Sequence, residues 1–407
     1  MRNSTLPALV TAEAVSSTGS AMTFVALPWF VLVTSGSPTK MSIVLAAEIL
    51  PMALFGIPSG SVVGRLGART SMLISDLVRA PLVAVVPILH WTGQLTFPLL
   101  VGIVFVLGIF MAPYAASQRS ILPEVLGDDE KTIAKASGLF GGAQHLPIVI
   151  GPSIAGALIG LIGTAPLLVV DGATFMFAFF VVLTIVRGGK PVVHDDESRG
   201  VLAGVRYLAR DKLLGPMALT IIVLDGAANG ITVAVPLLAY TRYDRNPHIA
   251  GWIFTAFGCG AIIGSVLVVK LLDRFAPLKL ASFGIIAATL PLWIVIANVS
   301  WPVVGAAVVL CGLFVPLINA PIMGIITTRP PVALRTKVMT AVMAASGLGG
   351  PLGRLIVGPL YRWHGNAAVW FEIAGGMTIG ALLFIAAALQ APADVDVSAA
   401  QATAISA

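Results

Sequence analysis

The chain has 407 residues, of which 57% are hydrophobic and 10% charged, with a formal net charge of +6 and a mean hydropathy of +0.98. A soluble domain carries about 25% charged residues. A soluble core cannot hide this much apolar surface, so the composition excludes a soluble globular domain and makes lipid the main solvent.

A lipid-facing backbone must satisfy its own hydrogen bonds, which leaves helices or closed barrels. Barrel strands alternate over about ten residues. The apolar runs here last about twenty residues or more, the length of a membrane-crossing helix. In chain order the predicted spans are 6–34, 41–63, 71–90, 97–117, 137–161, 166–186, 213–240, 249–270, 278–298, 302–327, 338–360 and 366–390. Turn-forming residues separate them, among them Ser35-Gly36-Ser37-Pro38 and Arg329-Pro330-Pro331. The first run is too long for a cleavable signal peptide and is interrupted by Glu13, so it reads as a retained span. Cys259 and Cys311 lie inside apolar runs, with no metal-binding spacing and no expected disulfide.

Twelve spans predict an all-α integral membrane protein. With the N-terminus inside, eighteen of the 24 Lys and Arg residues fall on the inner side and four on the outer side, namely Lys40, Arg242, Arg245 and Arg362. This asymmetry predicts cytoplasmic N- and C-termini. It also explains the net charge by topology rather than by an acidic or nucleic-acid partner. The longest hydrophilic segment, 187–212, divides the chain into an N-terminal six-helix bundle (1–186) and a C-terminal one (213–390), followed by a cytoplasmic tail (391–407) expected to be disordered. Within the linker, Val201, Leu202, Val205 and Leu208 share one helical face and Arg206 and Arg210 the other, as in a helix lying in the headgroup interface.

The halves repeat weakly. Leu27-Pro28 matches Val235-Pro236, and Gly60-Ser61-Val62 matches Gly264-Ser265-Val266. SGLFGGAQHLPIVIGP from Ser137 matches SGLGGPLGRLIVGP from Ser346. Three matches in one order, at about half the chain length, predict two homologous bundles. Parallel repeats with a site between them are a transporter architecture. The plain alternative is composition bias in a chain with 42 glycines.

These motifs resemble the major facilitator superfamily, in particular its drug–proton antiporter branch with the macrolide-efflux-like exporters. The superfamily pattern G-x-x-x-D-R-x-G-R-R falls on GSVVGRLGART. Gly60, Arg65, Gly67 and Arg69 match, while Gly64 replaces the acidic residue and Ala68 the first of the paired arginines. In the family that acidic residue helps latch the cytoplasmic side of the two halves. Ser75-Asp76-Leu77-Val78-Arg79-Ala80 looks like the branch's S-D-x-x-R-A, and Gly151-Pro152 is similar to part of its antiporter motif. Asp171 with Thr174-Phe175 resembles a D-x-x-T-F element. The fourth span lacks the arginine that several proton antiporters carry there. The resemblance implies the two-bundle major facilitator fold and export by alternating access.

Ionisable groups inside a bilayer are costly and by default functional candidates. Asp225, near the middle of the seventh span with Asn229 one turn on, is the sharpest candidate for proton coupling or substrate anchoring. Glu13 and Glu48 follow, and Arg354 is a counter-ion for any of them. Asp76 and Arg79, three apart on one helical face, form a structural or gating pair. Asp171 and Glu372 sit within about two turns of the outer interface and are expected to reach headgroups. His145 reads as a packing residue. Trp29, Phe257 and Asn319, together with Asn229, are candidate cavity-lining residues. Gly60, Arg65, Gly67, Arg69, Gly151 and Pro152 are expected in gating and bending, with plain packing as the alternative.

The expected activity is secondary-active efflux of a small lipophilic or cationic compound in exchange for protons. The protein would act as a monomer in the cell membrane, with lipids and protons as partners and no nucleic acid, metal or cofactor. The nearest rival is a dedicated exporter or flippase of a siderophore, lipid or metabolite. A membrane enzyme or channel lacks a supporting motif: there is no HExxH, no Cys-His cluster and no GxxxxGK[ST] loop.

Overall fold

A computed structural model describes residues 5–126, 130–186, 201–211, 213–331 and 334–390. The expected disordered tail and most of the linker, 187–200, lie outside the described residues. The helices are α1 (Thr5–Ser35), α2 (Pro38–Leu66), α3 (Ala68–Trp91), α4 (Phe97–Leu126), α5 (Glu130–Ile162), α6 (Thr164–Thr184), α7 (Val201–Arg210), α8 (Leu214–Arg242), α9 (Pro247–Leu272), α10 (Pro277–Thr289), α11 (Trp301–Thr328) and α12 (Arg335–Leu389). With α10 counted on through Ile296, eleven of them are long and apolar enough to cross a membrane. The last is two spans joined, because Gly365 breaks it with φ 76° and ψ −171°. The described residues therefore contain the twelve expected spans.

The differences from the predicted bounds have local causes. The fourth span was expected to end at 117, yet α4 runs on to Leu126 through Gln118, Arg119 and Ser120. Apolar composition marks where lipid ends, whereas hydrogen bonding carries the helix further. Beyond α10 the chain tightens into a 3-10 turn, Leu290–Ile296, where Pro291 has no N–H to give to the preceding turn.

The described helices pack as two compact units, Met1–Ser198 with Val235–Thr255, and Arg199–Ala234 with Ala256–Ala407. The 235–255 stretch joins the first unit through α5. There Gly251 lies against the Pro152 carbonyl, and the Thr255 hydroxyl donates to the Val149 carbonyl at 2.9 Å.

In the first unit all six of α1 to α6 contribute to one apolar core. Leu9, Val63, Met72, Ile121, Phe140 and Val182 meet there, one from each helix. This core lies toward the N-terminal end of α1, and the ionisable residues begin beside it. In the second unit α7 packs on α12: Gly204 touches the backbone of Lys337, and Leu208 is buried while Val205 is exposed. The apolar face read from sequence is thus divided between protein and surroundings.

Candidate functional site

At the α2–α3 junction Gly67 ends α2 with φ 86° and ψ 150°, its N–H bonding the Val63 carbonyl. A side chain at φ +86° is strained, so the glycine permits the reversal. It supplies no side chain to cap α3. Glu124 on α4 does so instead: its carboxylate accepts from the amides of Ala68 at 2.5 Å and Arg69 at 3.3 Å. A carboxylate there also complements the positive end of the helix. The Arg69 guanidinium donates to the carbonyls of Val186 at 2.5 Å and Leu183 at 2.9 Å, closing the end of α6. Arg65 is exposed and Gly60 half-buried.

Deeper in the same unit lies an enclosed polar cluster. Glu13 on α1 is 1% exposed. Its carboxylate accepts from Ser17 at 2.7 Å, from Gln118 at 2.6 Å and from the Tyr114 hydroxyl at 3.1 Å. Asp76 on α3 is 0% exposed and lies 3.8 Å from Arg79. The Arg79 guanidinium is sandwiched by rings, 3.9 Å from the centroid of Phe175 and 5.0 Å from that of Tyr114. Such stacking stabilises a desolvated cation.

Asp171 on α6 is 1% exposed and accepts from Thr23 at 2.6 Å and Thr174 at 3.3 Å. The expectation that it reaches headgroups is corrected here, because its side chain turns inward onto α1. Gly19 makes room for this, since a Cβ there would collide with Thr174 and Asp171. Asp76 is within electrostatic reach of Arg79, Glu13 and Asp171, and Asp171 of Arg79 and Glu48.

Gly151 lies against Ala21 of α1, and Pro152 beside it is buried. Trp29 is 3% exposed, with its ring edge-on to Tyr240 at 5.8 Å. His145, read as packing, is exposed.

In the second unit Asp225 is half-buried on α8. Ser346 hydrogen-bonds its side chain, and Arg354, both on α12, acts on it electrostatically. Among the candidates for which Arg354 was a possible counter-ion, Asp225 lies within its electrostatic reach. The Asn229 side-chain amide donates to the Asp225 carbonyl at 3.0 Å, which ties it to its own helix. Phe257 is half-buried and its carbonyl touches Gly312, whereas Asn319 is exposed. At the start of α8, Asp211 accepts from Leu213 and Leu214 amides, both at 2.9 Å, and pairs with Arg329 at 3.0 Å. Burial opposes ionisation of Asp211, but the Leu214 and Leu213 amides and Arg329 together outweigh it and hold the carboxyl below the usual value.

Sequence reasoning passed over Glu124, Tyr114 and Gln118. For Glu124 a signal existed, the Pro-Glu pair before the fifth span. Tyr114 and Gln118, four apart on α4, share a helical face, but nothing in one sequence says that face meets Glu13.

The comparisons with known proteins agree with this architecture. Residues 1–402 match the family described as transmembrane secretion effector. The multidrug efflux pump Tap of Mycolicibacterium fortuitum is 27% identical over 371 residues, covering 88% of this chain and 89% of that one. The pump of the same name from Mycobacterium tuberculosis is 25% identical, covering 92% of each. Macrolide efflux protein A of Streptococcus pyogenes is 22% identical over 63% of this chain and 64% of its own. Among solved structures, the nucleoside transporter NupG superposes with a TM-score of 0.77 at 14% identity, covering 95% of this chain and 99% of its own. At that identity the likeness is one of fold. The chain is a multi-pass membrane transporter with the two-bundle major facilitator fold, and it belongs to the transmembrane secretion effector family of the major facilitator superfamily.

Proposed function

We propose that this chain exports a small lipophilic or cationic compound from the cell in exchange for protons, by alternating access, in the plasma membrane with both termini inside. The observation that carries export is the match over most of the chain to pumps named for multidrug efflux. The excess of Lys and Arg on one side supports the orientation. Acidic groups within the helices of both units, the buried Glu13, Asp76 and Asp171 in one and the half-buried Asp225 in the other, support coupling to protons, because an ionisable group at membrane depth needs a function to offset its cost. In this reading Asp225, held by Ser346 and Arg354, is the acidic anchor of the second unit.

Purified protein in vesicles tests the proposal, with ethidium as the probe and no ATP. An imposed pH gradient is expected to drive ethidium uphill. Transport that ignores the gradient, or that requires ATP, overturns the antiport reading. Replacing Asp225 by Asn is expected to weaken ethidium binding about tenfold, the loss of one charged contact of about 1.4 kcal/mol. Unchanged affinity removes Asp225 from the anchor role.

A further inference from the structure

The first unit encloses several carboxyl groups around one cation. Glu13 from α1, Asp76 from α3 and Asp171 from α6 are each 1% exposed or less, with Glu48 of α2 in reach of Asp171. Tyr114 of α4 and Arg79 of α3 also face them. One guanidinium cannot neutralise Glu13, Asp76 and Asp171 together, so these three carboxyls share too little positive charge unless one of them binds a proton.

The hydrogen bonds distinguish the carboxyls. An ionised carboxylate at low dielectric is held by its donors. Glu13 has three side-chain donors, Ser17, Tyr114 and Gln118. Asp171 has two, Thr23 and Thr174. Both oxygens of Asp76 are enclosed and accept no hydrogen bond, so the Asp76 anion has only Arg79 at 3.8 Å, at the long end of an ion pair. Arg79 in turn is fixed by the faces of Phe175 and Tyr114 rather than by a close grip on Asp76.

We propose that Asp76 is the carboxyl that takes up and releases the exchanged proton, with Arg79 as its counter-ion. This rests on the antiport reading above. A proton from the outer solution adds to the Asp76 carboxylate and forms an O–H bond. The carboxyl loses its charge and its claim on Arg79, whose guanidinium remains within electrostatic reach of Asp171. Release of the same proton to the inner solution restores the Asp76–Arg79 pair. Glu13, pinned by three donors, and Asp171, pinned to α1 by Thr23, are positioning residues.

The test compares wild type and Asp76→Asn in ethidium-loaded vesicles by two readouts. One is accumulation driven by a pH gradient; the other is exchange of labelled for unlabelled ethidium without a gradient. Asp76→Asn is expected to keep exchange within about twofold and to lose gradient-driven accumulation at least about tenfold. Gradient-driven transport at the wild-type rate in Asp76→Asn, with wild type responding normally, overturns the assignment alone. A wild type that exchanges ethidium but ignores the gradient overturns the antiport reading instead. Should Asp76→Asn lose exchange as well, Asp76→Glu decides: recovery with a shifted pH profile supports the assignment, and no recovery or an unshifted profile overturns it. Infrared difference spectra between acid and neutral solution need no substrate. The band of a protonated buried carboxyl is expected in wild type and lost in Asp76→Asn, and its persistence in the variant overturns the assignment.

Discussion

Glu124 accepts a hydrogen bond from the backbone amide of Ala68 at 2.5 Å, across 56 positions of sequence. The contact pins the lower part of α4 to the first turn of α3, and the Arg69 amide adds a second donor to the same carboxylate. The acidic position of the family loop is empty here, occupied by Gly64. A carboxylate from another helix organises the junction from the far side.

Replacing Glu124 by Ala is therefore expected to leave two amides of α3 without their acceptor and to cost about 1–3 kcal/mol. Thermal unfolding in detergent measures this. Glu124→Gln, which retains one acceptor oxygen without the charge, is expected to recover part of the loss. An Ala variant as stable as wild type would show that water replaces the cap.

Gly19 permits α1 to approach α6 where Thr23 meets Asp171. Adding a side chain by Gly19→Val is expected to force the helices apart and cost about 1–3 kcal/mol. Transport should fall with it, because the Thr23–Asp171 bond cannot form across the widened gap. The check is unfolding together with vesicle transport. A stable, active Val variant would mean that α6 shifts freely.

Gly365 adopts φ 76° and ψ −171° between the two arms of α12, a conformation essentially restricted to glycine. A Cβ there meets no other atom within 4 Å, so the cost of Gly365→Ala comes from the backbone alone, about 1–3 kcal/mol. Nearby substitutions at ordinary helical positions serve as controls. An unchanged melting temperature would indicate that the arms can join by another turn.

Asp211 lies outside the membrane spans, and its carboxyl is held below the ordinary value of 3.8 despite partial burial. A carboxyl lowered in the folded state contributes stability that is complete above the unfolded value and is lost as pH falls through the folded one. Asp211→Asn is expected to be less stable than wild type at neutral pH, with the difference shrinking below about pH 4. Arg329→Gln should show the same trend more weakly, since the Leu213 and Leu214 amides remain. A difference constant across that range would exclude the charge as its source.

Much of this protein was legible before any coordinates. Apolar runs of membrane length placed the twelve spans, because a backbone in lipid has to close its own hydrogen bonds. Gly365 aside, each span became a helix with ends shifted by where polar residues continue the turn, as Gln118 and Arg119 do in α4. The i, i+3 spacing of Asp76 and Arg79 foretold their pairing, because it is a property of one helix. Partners on different helices were not legible. Glu13 with Tyr114 and Gln118, Asp171 with Thr23, Glu124 with Ala68, and Asp225 with Arg354 are separated by many turns of chain. Which helical faces meet is decided by close packing at residues such as Gly19, and by the rotation that packing imposes on each helix. Sequence determined that ionisable groups enter the membrane; only the tertiary structure decided that Asp76 and Asp171, from different helices, both lie in reach of Arg79, with Glu13 beside Asp76.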